Sequence, residues 1–226
     1  MAITLGPLPR AFTPLCVALL TTQLSAVLVE ESTALSSVLT TMFLLASLLA
    51  LKASRGLRAA ATIGIVAIVL LRWASMSGPT ESNAAKIAAA VLIAVYSALL
   101  AVHVLSAVLR ERYLSFDAVS GAVATYLLVA HAFALSYFAL EVGHRGSIEG
   151  IAIDARADGT VEGWPSAGFL YFSFVTLTTL GYGDLSPATS AARALVMLEA
   201  TSGQFFFAVF VARLVGAVRP AESPRG

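Results

Sequence analysis

Five consecutive residues, Thr179-Leu180-Gly181-Tyr182-Gly183, can do a specific piece of chemistry with their backbone rather than their side chains. Along an ordinary strand, successive residues face alternate sides. Glycine accepts φ > 0 and can turn its carbonyl to the side of its neighbours. Gly181 and Gly183, one residue apart, therefore let the carbonyls of Thr179, Leu180, Gly181 and Tyr182 form a column of oxygens, with the Thr179 hydroxyl as its lowest member. A cation stripped of water needs such a column. Enzymatic chemistry is not expected. His103, His131 and His144 fall on separate segments without metal-ligand spacing. No Ser/His/Asp grouping stands out, and Gly181-Tyr182-Gly183 lacks the third glycine and the βαβ context of a dinucleotide site.

The elements that must position this column flank it. Residues 166–179 are apolar and aromatic, with Phe169, Leu170, Tyr171, Phe172, Phe174 and Val175. Roughly 12 helical residues span about 18 Å, a little over half the hydrocarbon thickness. Pro165 suits the first turn. Five extended residues then climb back roughly 15 Å. Non-helical backbone at membrane depth is tolerated only where protein buries it or it lines a watery path. The negative end of the short helix points to the same place and favours a cation there. Ahead of it, 141–164 reads as a polar, glycine-rich extramembrane loop. Its Glu149, Asp154, Asp158 and Glu162 outnumber Arg145 and Arg156. That surplus either raises the local cation concentration or belongs to an ordinary solvated loop.

The rest of the chain is built for lipid. Of 226 residues, 58% are hydrophobic and 12% charged, with a mean hydropathy of +0.87. Soluble domains carry about 25% charged residues. A net charge of +1 and the lack of a basic cluster give no reason to expect nucleic acid. The single cysteine, Cys16, is read as a small buried hydrophobe. Six apolar segments are candidate spans: 12–29, 33–51, 59–76, 84–109, 116–140 and 189–218, with polar or turn-forming breaks between them. Ser82 or Asn83 is placed to cap the fourth. With the N-terminus inside, nine Lys/Arg (Arg10, Lys52, Arg55, Arg58, Arg110, Arg112, Arg213, Arg219, Arg225) lie on the cytoplasmic side against five outside. The first apolar run is longer than the h-region of a signal peptide. The fold class expected is an all-α membrane protein: six transmembrane helices, with a re-entrant pore helix and filter between the fifth and sixth. Residues 1–112 form a four-helix unit, 113–218 the pore unit, and 219–226 a short cytoplasmic tail too small for a regulatory domain.

At the filter the sequence resembles the potassium channel family, whose selectivity filter is four TVGYG loops. Here the string is Thr178-Thr179-Leu180-Gly181-Tyr182-Gly183-Asp184, with Leu180 where valine is commoner. Tyr171-Phe172 is similar to the aromatic pair that braces the filter tyrosine, Leu185-Ser186-Pro187 to the exit turn, and Gly203 to the hinge glycine of the inner helix. The resemblance covers about residues 116–217. It implies passive K+ permeation, with K+ held at Thr179, Leu180, Gly181 and Tyr182. It further implies filter support by Thr178, Tyr171, Phe172 and Asp184, and a homotetramer in the plasma (inner) membrane with both termini cytoplasmic. No organic cofactor is implied. Val175 stands where some relatives carry a glutamate that pairs with the filter aspartate, so Asp184 needs another partner, with Tyr171 and Trp164 as candidates.

Two further readings concern the helices. A voltage sensor needs regularly spaced arginines, and between Lys86 and Arg110 there are none. The first four spans are expected to pack around the pore unit through small residues. Glu199 is the one acid deep in the last span. It either braces the pore helix from behind, through Thr176 or Thr178, or forms a cavity-facing ring. Two alternatives to selective K+ permeation stay open: a weakly selective cation channel, from Leu180, and a membrane sensor or auxiliary protein with a vestigial pore.

Overall fold

The computed structural model describes residues 12–28, 33–50, 62, 64–66, 69–70, 82–111, 115–151, 153, 157–161 and 167–217. Its helices are α1 (Phe12–Leu28), α2 (Thr33–Ala50), α3 (Asn83–Arg110), α4 (Phe116–Gly143), α5 (Ala167–Leu177) and α6 (Ser190–Ala217). Two short strands, β1 (Ile148–Glu149) and β2 (Ser186–Pro187), pair antiparallel with Ile148 opposite Pro187. Among the described residues, three helices are long and apolar enough to cross a membrane: Asn83–Arg110, Phe116–Gly143 and the Ser190–Arg213 part of α6. The first two expected spans are the helices α1 and α2, of 17 and 18 residues. The third, 59–76, lies outside the described residues apart from helical positions at 62, 64–66 and 69–70.

Helix boundaries follow local chemistry. Ser82 caps α3 by accepting from Ala85 N (3.2 Å), and Ser115 caps α4 by accepting from Ala118 N (3.1 Å). The start of α1 has a cap from far along the chain. Asp117 Oδ1 accepts from Phe12 N (3.0 Å), Thr13 N (3.1 Å) and the Thr13 hydroxyl (3.1 Å). Further along, the Gln23 amide donates to Leu127 O (2.9 Å). The two contacts share almost the same sequence offset, so α1 and α4 run parallel from a common end.

α4 is the hub. α3 packs along it antiparallel: Gly121 faces Val108 near one end, and Gly143 faces Ile87 near the other. The buried stripe of α3 is small-residue rich, with Ala89, Ala90, Ala94, Ser97 and Ala101. This lets the backbones approach and allows dispersion contacts to replace a hydrophobic drive that lipid does not supply. Gly121 sits where α1, α3 and α4 meet. A Cβ there would lie 2.7 Å from Val108 Cγ2 and 3.0 Å from Phe12 Cδ2. Five residues, 111–115, separate α3 from α4, so α3 lies against α4 of its own chain.

Two expectations are corrected beyond α4. The helix runs to Gly143 rather than 140, and Glu141 is not a solvated loop acid. It is only 4% exposed. Its carboxylate oxygens accept from Gly146 N (2.7 Å) and Ile148 N (2.9 Å), which turns the chain sharply. The segment that follows is not uniformly polar either: Ile148 and Val161 are fully buried. Asn83 and Lys86, at the head of α3, hold it down. Asn83 Nδ2 donates to Gly159 O (3.1 Å), Val161 N donates to Asn83 Oδ1 (2.9 Å), and Lys86 Nζ donates to Val161 O.

Replacing Asp117 by alanine removes the cap from α1 without touching its apolar face. Asp117→Ala is expected to lower the unfolding free energy of the full-length protein in micelles by about 1 kcal/mol. An unchanged stability would mean that α1 does not depend on this cap.

Candidate cation-coordinating site

The site begins where α5 stops. Thr179 N donates to Thr176 O (3.0 Å) and Leu180 N donates to Val175 O (2.9 Å). This is the paired closing pattern of a Schellman helix end, in which the residue just past the cap takes a left-handed conformation. Glycine normally fills that place; here it is Thr179, with φ of 57°. A β-branched residue there is a true outlier, and such strain costs about 1–3 kcal/mol. Sequence reasoning assigned positive φ to the glycines alone and missed it. A threonine kept at this cost supplies what glycine cannot, a hydroxyl.

From Thr179 the sign of φ alternates. It is positive at Thr179 (57°), Gly181 (57°) and Gly183 (81°), and not at Leu180 or Tyr182. Alternating left- and right-handed residues turn successive carbonyls to one side. Among the described residues no donor meets the carbonyls of Thr179, Leu180, Gly181 or Tyr182. A row of unpaired acceptors at the tip of an 11-residue apolar helix is costly unless something outside the chain meets it. The α5 terminus adds its negative end to the same spot.

The far end of the row is tethered. Tyr171 Oη donates to Asp184 Oδ2 (2.8 Å), which selects Tyr171 as the aspartate's partner. Trp164 and Pro165 lie outside the described residues. The Tyr171 ring stacks on Tyr182 at 6.5 Å between centroids and 7° between planes. Phe172 does not share in this. It is buried on the other face of α5, edge-on to Tyr137 of α4 at 4.9 Å. The aromatic pair therefore divides its work within the chain: one ring lies against Tyr182, the other against α4. Beyond Asp184, β2 pairs with β1, and Ala188 N donates to Ser147 O (2.9 Å). Gly150 has φ of 90°, and a Cβ there would lie 2.5 Å from Asp184 O. The loop that Glu141 turns thus lies directly on the exit of the row.

Behind the row stands Glu199, 0% exposed. It faces α5, but not through Thr176 or Thr178. The Thr178 hydroxyl donates back to Phe174 O (2.6 Å). The partners of Glu199 are Tyr137 of α4, whose Oη donates to Oε2 (2.6 Å), and Ser173 of α5, whose hydroxyl lies against Oε1. Complete burial between α4 and α5 rules out the cavity-facing ring for this conformation. Neither Tyr137 nor Ser173 was singled out from sequence. The available signal was that an acid inside an apolar span requires donors, and these two residues are O–H donors on neighbouring apolar helices.

Gly203 has a packing role. A Cβ there would come within 2.5 Å of Leu177 O and 3.0 Å of Leu177 Cδ1. The last turn of α5 therefore rests directly on the backbone of α6.

Residues 124–219 match the family model described as "Ion channel". No curated protein matches the chain, and no solved structure does. The matched span runs from the middle of α4 past the end of α6, so it contains the whole of the site. The match supports an ion channel domain at these residues, and the apolar helices support an integral membrane protein.

Gly203→Ala forces a methyl group into the Leu177 carbonyl and is expected to cost about 1–3 kcal/mol by overpacking. Gly216→Ala, where a Cβ meets nothing within 4 Å, is the control and should leave stability unchanged or slightly raised. Equal unfolding free energies for the two variants would show that Gly203 is not needed for close approach.

Proposed function

We propose that this protein is a subunit of a potassium-selective channel, with the column at 179–183 contributed once by each of four identical chains around an axis. The observation that carries the reading is the alternating φ at Thr179, Gly181 and Gly183, with a row of carbonyls that no donor among the described residues meets. K+ is the permeant ion. The carbonyls of Thr179, Leu180, Gly181 and Tyr182 and the Thr179 hydroxyl replace its hydration shell, and Gly183 turns the chain out. Tyr171 and Asp184 hold the column directly, Thr178 closes the helix below it, Phe172 and Glu199 anchor that helix to α4 from behind, and permeation is passive.

A tetramer is favoured because one column covers only one side of an ion. In the single chain, Leu180 is 54% exposed and Tyr182 67% exposed. Large apolar residues of α6, among them Met197 and Phe205, are likewise uncovered. Copies of the same chain around the axis cover both surfaces at once. The Phe116–Gly143 and Ser190–Ala217 helices serve as the outer and inner helices, α5 as the re-entrant pore helix, and the chain crosses the bilayer six times. The common end at which α1 and α4 both start supports an even number of crossings from the start of α1 to the start of α4. Together with the Lys/Arg bias, this supports cytoplasmic termini, with the protein in the plasma (inner) membrane. The leading helices act as a scaffold, since no arginine lies between Lys86 and Arg110.

The test is flux from liposomes holding the full-length protein, with K+ compared against Na+ and barium as blocker. The expected outcome is K+ flux far above Na+ flux and block by barium. Equal fluxes would mean that Leu180 loosens the filter into a weakly selective pore. No flux from a verified tetramer at any pH or voltage would make the pore vestigial. In the same assay Gly181→Ala is expected to lower flux about tenfold or more, because a Cβ at positive φ costs about 1–2 kcal/mol in every subunit. Unchanged flux in that variant would remove the role assigned to Gly181.

A further inference from the structure

Three oxygen–oxygen contacts meet behind the column, and they need one proton more than their hydroxyl groups supply. Tyr137 Oη lies 2.6 Å from Glu199 Oε2. Ser173 Oγ lies within hydrogen-bonding distance of Glu199 Oε1 and also 2.8 Å from Ala130 O. A tyrosine has one O–H and a serine has one O–H, while an ionised carboxylate and a carbonyl are acceptors only. With Glu199 ionised, two protons serve three contacts, and Ser173 must leave either the carboxylate or the carbonyl facing a bare oxygen lone pair. With a proton on Glu199 Oε1, every contact is filled. Oε1–H donates to Ser173 Oγ, Ser173 O–H donates to Ala130 O, and Tyr137 O–H donates to Oε2, which is then the carbonyl oxygen of the acid.

Burial argues the same way. Glu199 is 0% exposed, and no cationic side chain contacts it among the described residues. The titratable groups around it are tyrosines of α4: Tyr137 in contact and Tyr126 further off. The pore helix presents Ser173. An unpaired charge in apolar surroundings is the costliest group a protein can bury. A neutral acid with its donor and acceptor both used is not costly in that way.

We propose that Glu199 is held as a neutral carboxylic acid and acts as a hydrogen-bond donor to Ser173. In this role it is a positioning residue that ties the pore helix to the outer and inner helices directly behind the column. The relay Glu199 → Ser173 → Ala130 links α6, α5 and α4 in one chain of hydrogen bonds, and Tyr137 closes it from α4. The proton assignment stands on local geometry alone, whereas its consequence for ion selection rests on the pore reading above.

The experiment is an infrared difference spectrum of full-length protein in bilayers at neutral pH, wild type minus Glu199→Gln. The expected result is a C=O stretch of a protonated carboxylic acid in the wild type that the variant lacks. Carboxylate bands in its place would overturn the proposal. Tyr137→Phe keeps the ring and removes the donor to Oε2, so it should shift that band to higher frequency. An unshifted band would overturn the assigned hydrogen-bond directions. These readouts need no ion flux and remain decisive if the pore reading fails. Under the pore reading, Glu199→Gln retains both a donor and an acceptor. It is expected to keep the K+/Na+ flux ratio within about twofold, whereas Glu199→Ala, which leaves Ser173 and Tyr137 without their partner, loses about tenfold. An unchanged ratio in Glu199→Ala would overturn the positioning role.

Discussion

The rest of this structure depends on a stretch of backbone whose carbonyls cannot bond to one another. A helix or a sheet satisfies its own acceptors; the carbonyls of the segment with alternating φ at Thr179, Gly181 and Gly183 meet no donor among the described residues. Such a segment has no stability of its own. It also begins with a β-branched residue in the left-handed region, at a cost of about 1–3 kcal/mol. Conformations of this kind persist only where the surroundings over-determine them, and here both ends are fixed. The lower end is a helix terminus closed by two backbone hydrogen bonds and resting on Gly203 of α6. The upper end is held by the Tyr171–Asp184 bond and by a loop whose Gly150 lies against the Asp184 carbonyl.

The scaffold converts remote packing into that fixation. α4 touches α1, α3, α5 and α6, so it carries position from the leading helices to α5. Its polar contacts sit at three depths: Asp117 at the start of α1, Tyr137 against Glu199 near α5, and Glu141 turning the loop after α4. Each is a buried or half-buried group with its partners in place, which makes it specific as well as stabilising. Small residues fill the spaces between, and Gly121 and Gly203 mark the places where no side chain fits.

Much of the site was legible in the sequence because it is local. The alternation of glycines at 181 and 183 and the half-length apolar segment before them require nothing from elsewhere in the chain. The Ser82 cap and the bounds of most helices are local too, and sequence and structure agree on them within a few residues. The positive φ of Thr179 was not legible, since β-branching argues against it. It arises from a helix terminus that the rest of the fold holds in place. The single acid in the last span was recognisable as a group needing a partner, but not which partner.

The sequence by itself determined that the chain is apolar enough for lipid, where the oxygens stand in order, and which residues can turn their carbonyls. These are properties of neighbouring residues and of composition. Only the tertiary structure decided that Glu199 meets Ser173 and Tyr137, 26 and 62 residues away. It alone decided that Phe172 turns to Tyr137 of α4 rather than to Tyr182 and that Gly203 makes room for Leu177. It also decided that α1 starts on Asp117, 105 residues along the chain. Side-chain partnership across helices depends on the rotation and depth of each helix. These are set by packing, in which small residues and one buried acid can be placed in several ways that the linear pattern does not distinguish.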